Sequence, residues 1–261
     1  MTGASRGIGR GIAVALGEAG CAVYLTGRTL REGDSDMPGS ITAAAEEVTR
    51  AGGTGIAVRC DHRVDSQAES AFERVRVERG RLDVLVNNAT HYATSRGPPD
   101  RKPFWEMPLD DWDMMVAVGL RSHYVASLLA ARMMVPQQSG VIVNVSSIGA
   151  VRYMGNVPYN VVKAGVDMLT LATAEELRPH GVSVVSFWPR FTKTEIVLAN
   201  RDRFPDLGKA WSPIFTGRAV AALVADPKIA EKAGKAVDLG TAAVEYGLKD
   251  EEGRQPAAPS H

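Results

Sequence analysis

Tyr159 and Lys163 stand four positions apart, and two adjacent hydroxyls, Ser146 and Ser147, precede the tyrosine by thirteen and twelve positions. A phenol, an ammonium and an alcohol suit proton transfer to or from a carbonyl or alcohol oxygen. A free tyrosine titrates near 10, too high for efficient acid–base work around neutrality. A neighbouring ammonium favours the phenolate and lowers that value, which is the part the spacing offers Lys163. A serine would then hydrogen-bond the substrate oxygen. Counting from the start of the preceding apolar run at Gly140 selects Ser147, while counting back from Tyr159 selects Ser146. Strand register fixes facing more tightly than a loop that can lose a residue, so Ser147 is preferred and Ser146 is left to cap the strand turn. A tyrosine and a lysine at this spacing also occur as two exposed residues of an ordinary helix. The pair therefore gains meaning only beside a cofactor site.

The elements that must position these groups are legible on either side. Residues 140–145 form an apolar run ending in small polar residues, which predicts a buried strand. A helix follows through Tyr159 to His180 and stops at Gly181, a natural C-cap. Strand end and helix start meet at the carboxyl edge of a sheet, where α/β proteins bind ligands. At the front of the chain, Thr2-Gly3-Ala4-Ser5-Arg6-Gly7-Ile8-Gly9 supplies a glycine-rich turn leading into an amphipathic helix over residues 10–19. Glycines there let the backbone approach a pyrophosphate, with the helix N-terminus facing the anion.

Further strands are expected at 21–26, 54–60, 82–87, 182–187 and 235–239. Helices are expected at 40–52, 65–79 and 109–134, loops at 29–39 and 90–108, and a loop with short helices over 189–225. Strands alternating with helices, most of them nearly continuous in apolar residues, predict one three-layer α/β domain over residues 1–248. Its architecture is a Rossmann-type, doubly wound parallel sheet. Residues 249–261, charged and then rich in Pro, Ala and Ser, are expected to be disordered. The 261 residues carry 30 basic and 30 acidic side chains, so no nucleic-acid footprint is expected. No residue is assigned to a metal, and no apolar run suggests a membrane span. Cys21 and Cys60 fall in separate strands, consistent with reduced, buried thiols and a cytoplasmic setting.

The glycine segment, Asp61 after one strand, Asn87-Asn88-Ala89 after another, the serine pair and Tyr159 with Lys163 together resemble the classical short-chain dehydrogenase/reductase family over nearly the whole chain. Val118-Gly119-Leu120-Arg121, Asn156-Val157-Pro158-Tyr159 and Tyr246-Gly247-Leu248 are most similar to the subgroup called dehydrogenase/reductase member 1. The resemblance implies a nicotinamide cofactor held by Gly3, Ser5, Arg6, Gly7, Ile8 and Gly9, with Lys163 also on the ribose. It further implies Asp61 on the adenine, Asn88 beside the ribose and Thr194 at the nicotinamide amide. Without it, Asp61 would read as a strand-end turn cap. The family's pairing of helices 109–134 and 159–180 between subunits implies a homodimer or homotetramer. Its members also carry a strand before the glycine segment, which here begins at residue 2, so the chain is expected to lack the first, central strand. A truncated sequence is the favoured explanation.

NAD-binding relatives place an acidic residue after the second strand to hold the ribose 2′-hydroxyl. Gly27 and Arg28 stand there instead, with Arg6 inside the glycine segment, which favours a 2′-phosphate and hence NADP(H). Three positions depart from the family pattern: Gly119 where the resemblance implies a catalytic Asn, Pro189-Arg190 in place of Pro-Gly, and Thr90 after Asn87-Asn88-Ala89. His91, Tyr92, Arg152, Tyr153, Met154, Trp188 and Phe191 flank the expected site and suit a bulky carbonyl compound. The favoured reading is an NADP(H)-dependent carbonyl reductase acting on a small-molecule carbonyl or alcohol, with Tyr159 as general acid and base. The alternative is a catalytically idle nucleotide-binding sensor or interaction protein, suggested by the missing strand, Gly119 and Arg190.

Overall fold

The computed structural model describes residues 1–91, 102–204 and 206–258. Its strands are β1 (Ala22–Gly27), β2 (Thr54–Arg59), β3 (Val84–Asn87), β4 (Gly140–Val145), β5 (Val182–Trp188) and β6 (Ala236–Asp238). Every strand pairing is parallel, β2 with β1 and then β3-β4-β5-β6. Between them run α1 (Gly7–Glu18), α2 (Ile41–Arg50), α3 (Asp65–Arg79), α4 (Leu109–Val116), α5 (Ser122–Gln137) and α6 (Val157–Leu177). The chain ends with α7 (Glu195–Ala199), α8 (Pro213–Val224) and α9 (Leu239–Glu245).

Side chains alternating along β4 and β5 explain why both strands are rich in apolar residues. Val143, Val145, Val185 and Phe187 pack with Ile12, Phe215 and Leu239 on one face. Ile142, Val182 and Val184 pack with Ala126, Ala130 and Met134 on the other. A strand covered on both sides has no solvated position, so its polar residues are buried with partners, Asn144 Nδ2 donating to Thr170 Oγ1 at 2.9 Å and Ser186 Oγ to Asp167 Oδ1 at 2.6 Å. Close approach of α1 to α8 depends on paired glycines: a Cβ on Gly11 would lie 2.0 Å from Pro213 O, and one on Gly217 would lie 2.2 Å from Gly11 O.

Between β1 and β3 the sheet is bridged only at its carboxyl end. Thr2 N donates to Val86 O at 3.0 Å, Thr26 N donates to Met1 O at 3.0 Å, and Ala4 N donates to Thr26 O at 3.1 Å. Below that bridge lies a cavity of about 310 Å³ whose walls include Val23, Phe72, Val75, Leu85 and Val86. The Met1 ammonium donates to Tyr24 O at 2.9 Å, and burial pushes its pKa from 8.0 down to about 5. The expectation of an incomplete centre to the sheet thus corresponds to two facing edges joined by four residues.

Element boundaries agree with the sequence to within a few residues, and α9 was not expected at all. The tail is a correction. Residues 249–257 are tied down instead of disordered: Arg254 stacks 5.0 Å from the Trp211 ring, Gln255 Nε2 donates to Leu248 O at 3.0 Å, and Ala257 O accepts from Arg190 at 2.7 Å. Polar composition misled because these contacts are made to distant parts of the chain. Most of the loop expected at 90–108, including Tyr92, lies outside the described residues; Phe104–Glu106 forms a single 3₁₀ turn. Against the sequence expectation, Leu109–Gln137 is one continuous helix long and apolar enough to cross a membrane by length and composition. A π turn, Ala117–Arg121, separates α4 from α5 within it, and its inward residues Ala126, Ala130 and Met134 are core.

Candidate active site

The chain leaves the sheet at the end of β4, where Ser146 N still donates to Phe187 O at 2.9 Å. Ser147 turns out of the strand, and its Oγ accepts from Gly149 N at 3.0 Å. The following loop is stitched to the first turn of α6 by two asparagines. Asn156 Oδ1 accepts from Tyr159 N at 2.8 Å and so caps the helix. Asn160 Nδ2 donates to Gly149 O and to Arg152 O, while its Oδ1 accepts from Met154 N at 3.1 Å. With both ends held, Tyr159 Oη reaches Ser147 Oγ at 2.7 Å. Gly149 makes room for the ring, since a Cβ there would lie 2.7 Å from Tyr159 Cε1. Lys163 is buried, donates from Nζ to Val145 O at 2.9 Å, and sits 5.8 Å from the centre of the Tyr159 ring. Ser146 is not part of this group. Its Oγ donates to Lys163 O at 3.1 Å, a packing contact between β4 and α6.

One strand over, β3 runs into a cavity of about 390 Å³. Gly3, Ser5, Arg6, Gly7, Ile8 and Gly9 line one wall, with Arg28, Asp61, Asn88 and Thr194 around the rest. The glycine wall is a close fit to backbone: a Cβ on Gly9 would strike Gly3 O at 2.2 Å, and one on Gly3 would lie 2.8 Å from Ala89 Cα. Thr2 and Asn88 fix its shape. Thr2 Oγ1 accepts from the backbone N–H groups of Asn88 and Ala89 at 2.9 and 3.0 Å, and Asn88 Nδ2 donates to Gly3 O at 3.0 Å. A bare backbone turn feeding the N-terminus of α1 is the surface a dinucleotide pyrophosphate needs. The residues present therefore fit such a group.

The charges around the cavity are unequal in their freedom. Arg6 ties down the loop after β1, donating from Nη2 to Thr29 Oγ1 at 3.2 Å, Met37 O at 3.2 Å and Gly39 O at 3.1 Å. Arg28 is exposed at the rim. Asp61 is clamped by Arg63, which holds its carboxyl at about 2, so the turn-cap role and a place on the cavity wall coexist. Burial pushes His62 to about 4; its Nε2 is 2.8 Å from Thr26 Oγ1. Burial, with Lys163 adding to it, pushes His123 to about 3, and its Nε2 lies 3.0 Å from Ala89 O. Both rings are neutral at pH 7.

The departures from the family pattern each find a place. Arg190 pairs with Asp238 at 2.7 Å, joining the ends of β5 and β6. Gly119 lies in the π turn, where a Cβ would meet Val162 Cγ1 at 2.9 Å and Thr90 Oγ1 at 3.5 Å. Among the flanking aromatics, Trp188 donates to Asp167 at 3.1 Å and Phe191 packs 5.5 Å from Phe204, while Tyr153 and Met154 are exposed. Cys21 and Cys60 are unpaired thiols, Cys60 buried and Cys21 half-buried. Sequence reading missed Thr2, Asn156, Asn160 and Glu195. An Asn just before a predicted helix is a cap signal and could have exposed Asn156; the others depend on contacts between distant segments.

The sequence pattern of the short chain dehydrogenase family matches residues 1–203. Dehydrogenase/reductase SDR family member 1 of Mus musculus is 45% identical over 267 aligned residues, covering 97% of this chain and 83% of that protein. A metagenomic short-chain oxidoreductase, solved in complex with NADP, superposes with a TM-score of 0.72 at 29% identity, covering 91% of this chain and 93% of that one. A short chain dehydrogenase from Mycobacterium thermoresistibile shares the fold with a TM-score of 0.83 at 24% identity over 99% of this chain and 92% of the other. A glycine cradle, a parallel sheet and this breadth of similarity lead to one conclusion: the chain belongs to the short-chain dehydrogenase/reductase family, oxidoreductases of small molecules.

Proposed function

We propose that the protein is an NADP(H)-dependent oxidoreductase of the carbonyl reductase type, interconverting a carbonyl and a secondary alcohol. The observation that carries this reading is the 2.7 Å contact of Tyr159 Oη with Ser147 Oγ above the buried Lys163 Nζ. This group stands where the end of β4 meets the start of α6, and β4 pairs with β3, the strand that feeds the glycine-walled cavity. A nicotinamide bound there supplies or accepts the hydride. Ser147 Oγ orients the substrate oxygen, and Tyr159 Oη gives that oxygen its proton in reduction or takes it back in oxidation. The Lys163 ammonium, 5.8 Å from the centre of the Tyr159 ring, favours the phenolate left behind. Ser146, bonded to the helix backbone, is left out of the chemistry.

Arg28 is the group free to meet a 2′-phosphate, because Arg6 already holds the adjoining loop. The NADP complex of the metagenomic relative agrees with that choice. Homo-oligomerisation belongs to the same reading: α5 and α6 carry exposed Tyr124, Leu128, Val161, Met168 and Leu171, an apolar surface suited to a second copy. Core packing of the inward face of Leu109–Gln137 supports placing that helix in the domain, outside any membrane. The test is titration of the whole chain with NADPH and NADH, followed by NADPH oxidation with aromatic and aliphatic ketones, diketones and quinones. Tight NADPH binding with turnover of one such carbonyl is expected. NADPH binding with no carbonyl turned over would favour an idle nucleotide binder.

A further inference from the structure

Glu195 sits where the reading above needs a phosphate. Its Oε2 accepts from Gly7 N at 2.7 Å, at the first residue of α1, and its Oε1 lies 3.8 Å from Arg10 Nη1. The side chain is about a quarter exposed, 23%, and belongs to the first turn of α7, which Thr194 caps. Thr194 closes over the same spot, with its Cγ2 3.2 Å from where a Gly7 Cβ would be. Both residues line the glycine-walled cavity. A carboxylate on a backbone N–H at a helix start makes a charge-assisted bond and meets the positive end of the helix dipole. A pyrophosphate draws on that same N–H and that same dipole, and two anions cannot share them.

We propose that Glu195 is a built-in competitor for the dinucleotide phosphates, a carboxylate that must leave Gly7 N before the cofactor can seat. The inference rests on the dinucleotide reading of this cavity. Arg10 is the natural holder of the displaced carboxylate, being already within 3.8 Å and also paired with Glu47. The turn carrying Thr194 and Glu195 therefore moves as a unit when the cofactor enters. Affinity is set low by design of the loop, which favours cofactor release.

The experiment compares NADPH binding to the full chain and to Glu195→Gln and Glu195→Ala, with Glu176→Gln, an exposed acid on α6, as the charge control. Melting of each free variant establishes folding. Both Glu195 variants should bind NADPH about two- to thirtyfold more tightly, the span of a helix-terminus charge interaction. Inorganic pyrophosphate alone should likewise bind Glu195→Gln more tightly than the parent. Glu176→Gln should match the parent. Equal or weaker NADPH binding in both Glu195 variants overturns the competitor role while leaving the dinucleotide site standing. Cooperative melting with no dinucleotide bound by any of the proteins overturns the site and the competitor together.

Discussion

At the scale of single residues, the proposed chemistry narrows to one proton on Tyr159 Oη, 2.7 Å from Ser147 Oγ. Tyr159→Phe keeps the ring and its fit against Gly149 but removes that proton. General acid–base groups are worth about 10²–10⁴ in rate, so carbonyl reduction should fall by at least that factor, with NADPH affinity and melting temperature nearly unchanged. Ser147→Ala should cost far more turnover than Ser146→Ala, whose hydroxyl donates to the backbone of α6. Full turnover by Tyr159→Phe would end the mechanism. The cofactor preference is a second residue-scale question, because the two arginines named for it have different tasks. Arg6 holds residues 37 and 39 by their carbonyls, whereas Arg28 is exposed at the cavity rim. Arg28→Ala should therefore reduce the preference for NADPH over NADH about ten- to a hundredfold, as loss of a charge-assisted phosphate contact would. Paired titrations measure it, and an unchanged ratio in Arg28→Ala would remove that residue from cofactor selection.

At the scale of elements, the site depends on how tightly one loop is bound to one helix. Asn156 caps α6 through the backbone N–H of Tyr159 itself, so the cap and the position of the phenol are one interaction. Asn156→Ala should cost about 1 kcal/mol, or roughly 2–4 °C in melting temperature, and should lower turnover with little change in cofactor affinity. Asn156→Asp, which caps as well, should restore both. Failure of Asp to rescue would mean that the amide nitrogen, not the cap, matters. The sequence made these elements readable where periodicity and punctuation agree: α6 runs into a 3₁₀ turn, Arg178–His180, that Gly181 caps, β4 and β5 are mostly apolar, and Gly3, Gly7 and Gly9 mark the turn into α1. Trouble arose where a segment's partner is remote in the chain. The tail after Lys249 is polar in composition yet ordered through Trp211 and Arg190, and α9 is short, beginning where Asp238 Oδ1 accepts from Gly240 N. Glu195 looked like any surface acid until folding brought it 188 positions back to Gly7. Ser147 and Ser146 could not be separated by counting alone, because the choice turns on which way the chain leaves β4.

For the molecule as a whole, acid should act through two buried rings. Burial holds His62 at about 4 and His123 at about 3, against an ordinary 6.5. His62 Nε2 lies 2.8 Å from Thr26 Oγ1 at the end of β1, and His123 Nε2 lies 3.0 Å from Ala89 O just beyond β3, so each ring bonds the chain near a different strand. A depressed imidazole means that the unfolded chain binds more protons below 6.5, so this share of stability is complete above pH 6.5 and lost as pH falls toward 4. At 1.36 kcal/mol per unit, each ring costs roughly 3 kcal/mol by pH 4. Melting temperature should therefore fall steeply below pH 6.5. His62→Gln keeps a polar partner for Thr26 but cannot take up a proton, so it should make that acid limb shallower by about one ring's share. Calorimetry of parent and variant from pH 8 to pH 4 decides it. An acid limb equally steep in His62→Gln would show that this ring is not what acid acts on.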